Sequence, residues 1–160
     1  MIGRLLFAPW SDHRGQRFLW QVPRFCFQIQ KVISEDDFIV LKKNLPLARS
    51  MKITLVSNSM APILPVGTLA EIGPVAFDDI QPLDFVVFFE NGKLICHTVW
   101  QRGFFKAPNG ERTLITRGLS NPFFDHPVRE SYLLGRVTSH RVSRLYLYWL
   151  TLTMRWRRRI

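Results

Sequence analysis

The stretch DFVVFFENGKLICHTVW (84–100) constrains the fold more than any other part of the chain. Two apolar, β-rich runs flank Asn91-Gly92. A two-residue type I′ turn needs positive φ at both central positions, which Asn and Gly supply at little cost. The turn sets a register: Glu90 opposite Lys93, Phe88 opposite Ile95, Val86 opposite His97. Strand side chains alternate between faces, so His97 shares its face with Ile95, Val99, Val86 and Phe88. A lone imidazole on an apolar face has two readings. It is a core histidine satisfied by a backbone carbonyl, or it is a desolvated, oriented base of the kind catalysis uses.

Further short β-rich runs follow the same style. KITLVS (52–57), TLAEI (68–72) after the turn at Pro65-Val66-Gly67, RTLITR (112–117) after Pro108-Asn109-Gly110, and YLLGRVTS (132–139) each predict a strand. Upstream, RFLWQVPRFCFQIQKVI (17–33) alternates at Phe25, Phe27 and Ile29 and also reads as a strand. SEDDFIVLKKN (34–44) reads as a short helix, with Ser34 as N-cap, three acids in the first turn, Lys42 and Lys43 at the end, and Pro46 stopping it. The expected class is mainly β, built of short antiparallel strands and hairpins, with short helices near the termini. The chain has 160 residues, 47% of them hydrophobic, enough for one domain with a real core and too apolar for disorder. Its organisation reads as an N-terminal extension of unknown role (1–50), a β domain (51–140) and a basic, aromatic tail (141–160).

The net charge of +10 invites a polyanionic partner, but its distribution matters more than its size. From Ser131 to Ile160 there is no Asp, Glu or Lys, while Arg stands at 136, 141, 144, 155, 157, 158 and 159. No helix-turn-helix, zinc or RNA-binding signature accompanies these arginines, so no specific nucleic acid is expected. Cys26 and Cys96 are far apart and no Cys/His metal spacing occurs, so neither a metal nor a cofactor is expected. No run approaches the ~20 apolar residues that span a bilayer, and MIGRLLFAPWSDHR has too short an apolar run for a secretory segment. The expectation is a cytoplasmic chain. Its tail, RLYLYWLTLTMRWRRRI (144–160), either packs on the domain or lies on an anionic membrane surface, where each basic residue contributes about 1 kcal/mol.

SNSMAP (57–62) places two small hydroxyls two residues apart where an apolar strand meets a proline. Turn chemistry is one account, since Ser and Asn hydrogen-bond their own backbone. A nucleophile with an oxyanion donor beside it is the other. With His97 and with Asp125 in LITRGLSNPFFDHPV (114–128), Ser59 completes the set of groups used in acyl transfer.

The blocks SNSMAPILPVGTLAEI, PLDFVVFFENGKLICHTV, ITRGLSNPFFDHPV and LLGRV, taken in order, resemble those of type I signal peptidases. The nearer branch is the endoplasmic-reticulum and archaeal one, which pairs serine with histidine, in a superfamily that includes LexA-type self-cleaving proteases. The resemblance covers roughly residues 52–140. It implies a signal peptidase/LexA-like β-fold, with Ser59 as nucleophile, His97 as general base and Asp125 as the second acid of the family's Gly-Asp-x-Asn-x-x-x-Asp segment. It further implies an oxyanion hole made by the Ser57 hydroxyl and the Ser59 amide. The implied activity is a serine endopeptidase that removes a leader or signal-like segment from a peptide or protein substrate, with a pocket for small residues. Two positions depart from the family pattern: Thr98 follows His97 where Arg is usual, and Leu119 follows Gly118 where Asp is usual. The family's transmembrane anchor is also not recognised. A non-catalytic peptide-binding module on the same fold remains an alternative, as does a self-processing LexA-type regulator. Relatives of the latter cleave an Ala-Gly or Cys-Gly bond upstream, and neither dipeptide precedes Ser59.

Overall fold

The structure is a computed structural model that describes residues 26–28, 32–107 and 109–157. In chain order the elements are β1 (Cys26–Gln28), α1 (Glu35–Ala48), β2 (Met51–Thr54), β3 (Leu69–Gly73), β4 (Phe85–Glu90), β5 (Lys93–Lys106), β6 (Arg112–Arg117), β7 (Val128–Arg129), β8 (Leu133–Val137) and α2 (Arg144–Arg157). They form one sheet in the order β1-β2-β3-β8-β4-β5-β6-β7. Only β1 and β2 run parallel; the other neighbours are antiparallel. Among the described residues the chain is thus mainly β, with two α-helices, as the hydrophobic patterning predicts. Of the strand expected over 17–33, the part from 26 to 28 is observed; Phe25, Ile29 and their neighbours lie outside the described residues.

The β4–β5 hairpin carries the register that its turn dictates, with Glu90 opposite Lys93, Phe88 opposite Ile95 and Val86 opposite His97. Asn91 has φ of 50° and Gly92 of 74°, as the turn requires. Alternation then divides the hairpin between two cores. Phe85, Val87, Leu94 and Cys96 face the larger one, with Ile53, Met60, Leu64 and Ile72. Val86, Phe88 and Val99 face the smaller one, with Phe77, Leu114, Val128 and Leu133. His97 lies on this second side, its ring set edge-on to Phe88 at 6.1 Å.

Both helices cover the first core: α1 contributes Phe38 and Leu45, α2 contributes Leu147 and Leu150. The α1 start matches its sequence signature, since the Ser34 hydroxyl accepts the Asp37 N–H at 3.1 Å and the Asp37 carboxylate accepts the Ser34 N–H. Its end differs from expectation. Pro46 does not stop the helix, which runs on to Ala48. In the last turn Pro removes a single backbone hydrogen bond, and Leu45, 2% exposed, holds that turn against the core.

Two strands are shorter than their β-rich runs. β2 ends at Thr54 rather than at Ser57, although Leu55 still exchanges backbone hydrogen bonds with Gly67 and Thr68. β8 spans Leu133–Val137 within the expected 132–139. β8 pairs with β3 at Arg136 and Val137, and at the neighbouring Gly135 any Cβ would press on the carbonyl of Gly73 and on the Ile72 side chain. Among the described residues no helix is long and apolar enough to cross a membrane.

Candidate active site

Ser59 is delivered by the segment that leaves β2. Beyond Leu55 the chain folds into consecutive turns, with Ala61 N–H bonded to the Asn58 carbonyl at 3.0 Å and Leu64 N–H to the Met60 carbonyl at 3.0 Å. Met60 and Leu64 are buried and pin this segment to the core, which leaves Ser57 exposed and Ser59 half-buried beside them. The two serine hydroxyls are hydrogen-bonded to each other at 3.0 Å. A second segment grips the same turn from outside: Ser120 donates its N–H to the Ser59 carbonyl at 2.9 Å and its hydroxyl to the Asn58 carbonyl at 2.8 Å.

His97 is 6% exposed. Its Nδ1 lies 2.5 Å from Oδ2 of Asp125. The same oxygen accepts the Thr116 hydroxyl at 2.7 Å, and the Asp125 N–H bonds back to the Thr116 carbonyl at 2.9 Å. An ionised carboxylate can only accept, which makes Nδ1 the donor of this bond. The imidazole Nδ1 is thus paired with a side-chain carboxylate and not with a backbone carbonyl.

The structure brings Ser57, Ser59 and His97 to one groove of about 400 Å³, floored by Leu55, Met60, Leu94 and Cys96. Gly118 marks how closely they approach. A Cβ built there would lie 3.0 Å from His97 Nε2, 2.8 Å from the Ser59 carbonyl oxygen and 3.0 Å from Asn121 Nδ2. The Ser59 hydroxyl itself is bonded to Ser57. Among the described residues its hydrogen-bonded side-chain partner is thus Ser57 and not His97.

The groove also exposes backbone. In the hairpin register Lys93, Ile95 and His97 exchange hydrogen bonds with β4, so Leu94 and Cys96 turn their N–H and C=O groups the other way. β6 joins that edge of β5 only from Thr98 onward. Among the described residues, therefore, no strand pairs with this short edge of β5 beside Ser59. The Cys96 thiol beneath it is pushed up to about 12 by burial, which keeps it a neutral filler and not a nucleophile.

Thr98 and Leu119, which flank the site, both pack into the core. Thr98 is fully buried and its hydroxyl contacts the Met60 sulfur at 3.9 Å. Leu119 is 3% exposed in the same core as Met60 and Leu64. Both residues are uncharged, so neither leaves an unpaired charge indoors.

Sequence reasoning did not single out Thr116, Ser120 or the brace beside the acid. Arg117 stacks over Trp100 at 4.3 Å and over Phe124 at 5.3 Å, and Trp100 meets Phe124 edge-on at 5.7 Å. This brace holds the residue preceding Asp125. Thr116 shares a strand face with Leu114 two residues earlier, and that period was the available signal. No protein-family model matches the chain, and no curated protein matches it in sequence.

Proposed function

We propose that this chain is a serine endopeptidase in which Ser59 attacks, His97 transfers the proton and Asp125 holds the imidazole. The observation that carries the reading is the His97–Asp125 hydrogen bond, with Nε2 and the Ser59 carbonyl both set against Gly118. A peptide would add as a strand along the free edge at Leu94–Cys96, which brings a scissile carbonyl to Ser59. Ser59 Oγ bonds to the carbonyl carbon as its proton passes to Nε2, and Asp125 stabilises the resulting imidazolium. The tetrahedral oxyanion takes hydrogen bonds from the Ser59 N–H and the Ser57 hydroxyl, a donor whose loss costs roughly 10²–10³ in rate. The C–N bond breaks, and the leaving amine takes the proton from Nε2. Water, deprotonated by Nε2, then attacks the acyl ester, and as the C–O bond breaks Nε2 returns the proton to Oγ and frees Ser59. A leader or signal-like segment is the substrate class the family resemblance suggests. The same reading holds the enzyme at the periphery of a membrane through α2.

A second reading, a peptide-binding module without chemistry, is favoured by one observation: the Ser59 hydroxyl is bonded to Ser57. A peptidyl fluorophosphonate separates the two by intact mass and peptide mapping. The peptidase reading expects an adduct on Ser59 that is lost in His97→Ala. Binding of the peptide part without any adduct on Ser59 favours the module.

A further inference from the structure

We infer that α2 docks the protein flat on an anionic lipid bilayer, an inference that extends the peripheral placement above and does not depend on peptidase chemistry. The helix carries two apolar faces. Leu147 and Leu150, 2% and 8% exposed, point into the core. Leu145 and Trp149, 82% and 59% exposed, lie four residues apart and hence on one side, away from it. In the sequence, Leu152 and Trp156 continue that spacing by helical period. Tyr148 is also exposed, and Tyr146 stacks on Trp149 at 6.4 Å. A helix needs only one apolar face to pack on its domain, and the exposed outer stripe, uncovered among the described residues, calls for a second partner.

Charge selects that partner. No acidic residue occurs from Ser131 to Ile160, and in the sequence Arg155, Arg157, Arg158 and Arg159 follow the stripe. A second copy of the helix would bring no acidic residue to neutralise these arginines. A nucleic acid would neutralise them but leave Leu145 and Trp149 unburied. An anionic bilayer satisfies both demands: Trp and Tyr settle at headgroup level, Leu enters the acyl boundary, and Arg reaches the lipid phosphates. With 14 residues α2 can lie on a bilayer but not span it.

The test is co-sedimentation of the full chain with phosphatidylserine-containing vesicles and with phosphatidylcholine vesicles. Wild type should partition to the anionic vesicles, less so as salt rises. Leu145→Ser with Trp149→Ser should lower partitioning about tenfold or more, and both changes are exposed, so the thermal midpoint should hold. Changing Arg155, Arg157, Arg158 and Arg159 to Gln should cost about fivefold per charge. Ser59→Ala should bind as wild type does, which separates this result from the fate of the peptidase reading. Equal partitioning to the two vesicle types, or full binding by the Leu145/Trp149 variant, would overturn the inference. So would self-association abolished by that variant without vesicle binding, or binding to duplex DNA that the variant retains with no binding to vesicles.

Discussion

Thr116 and Asp125 hold each other twice, through the Thr116 hydroxyl on the carboxylate at 2.7 Å and the Asp125 N–H on the Thr116 carbonyl at 2.9 Å. Thr116→Val removes the first bond and keeps the shape and the second. A hydrogen bond to a charged group contributes about 1.5–3 kcal/mol, so cleavage should slow by at least roughly tenfold. Thr116→Ser should restore most of the rate. The measurement is kcat for the two variants, with thermal unfolding as the control for folding.

Asp125→Asn keeps the side chain's shape but can donate to Nδ1, which favours the tautomer whose proton sits on Nε2. That proton would occupy the lone pair Ser59 needs. Cleavage should fall by roughly 10³–10⁴ with the thermal midpoint little changed. Retained activity would reduce the mechanism to a Ser–His dyad.

The hairpin was legible because Asn91-Gly92 fixes a register, and a register fixes which face His97 shares. That Asp125 would reach His97 was also a reasonable expectation, since the 114–128 segment holds no other acid. Thr116, Ser120 and Gly118 were not legible, because each acts through a contact set by how β6 returns past the turn at Ser59. Pro46 misled for a related reason: a local helix-breaking signal yields to the burial of Leu45. Local rules fix turns and faces; contacts between distant segments depend on the packed core.

Gly118 is a spacing element. Ala there would place its Cβ 2.8 Å from the Ser59 carbonyl oxygen and 3.0 Å from His97 Nε2. Overpacking of this sort costs about 1–3 kcal/mol. Gly118→Ala should lower both the thermal midpoint and the cleavage rate, and a variant as stable and active as wild type would place the loop elsewhere.

Cys96 gives a pH signature. Burial raises its pKa from 9.0 to about 12 in the fold, so its contribution to stability is intact below about 9 and is lost as pH climbs toward about 12. Unfolding free energy should therefore decline over that window, and the decline should shrink in Cys96→Ala. At pH 8, iodoacetamide should modify Cys96 slowly in the folded chain and readily in urea, read by mass spectrometry of the peptide containing it.

The most direct measurement is cleavage of a defined peptide mixture by wild type, Ser59→Ala, His97→Ala and the double variant, read by mass spectrometry. Wild type should produce discrete new termini. Each single variant should fall to background with its fold intact, and the double variant should be no worse than either, because the two side chains act as a unit. Cleavage by Ser59→Ala at the wild-type rate, or no cleavage by a wild type that nonetheless binds peptides in the groove, would contradict the account.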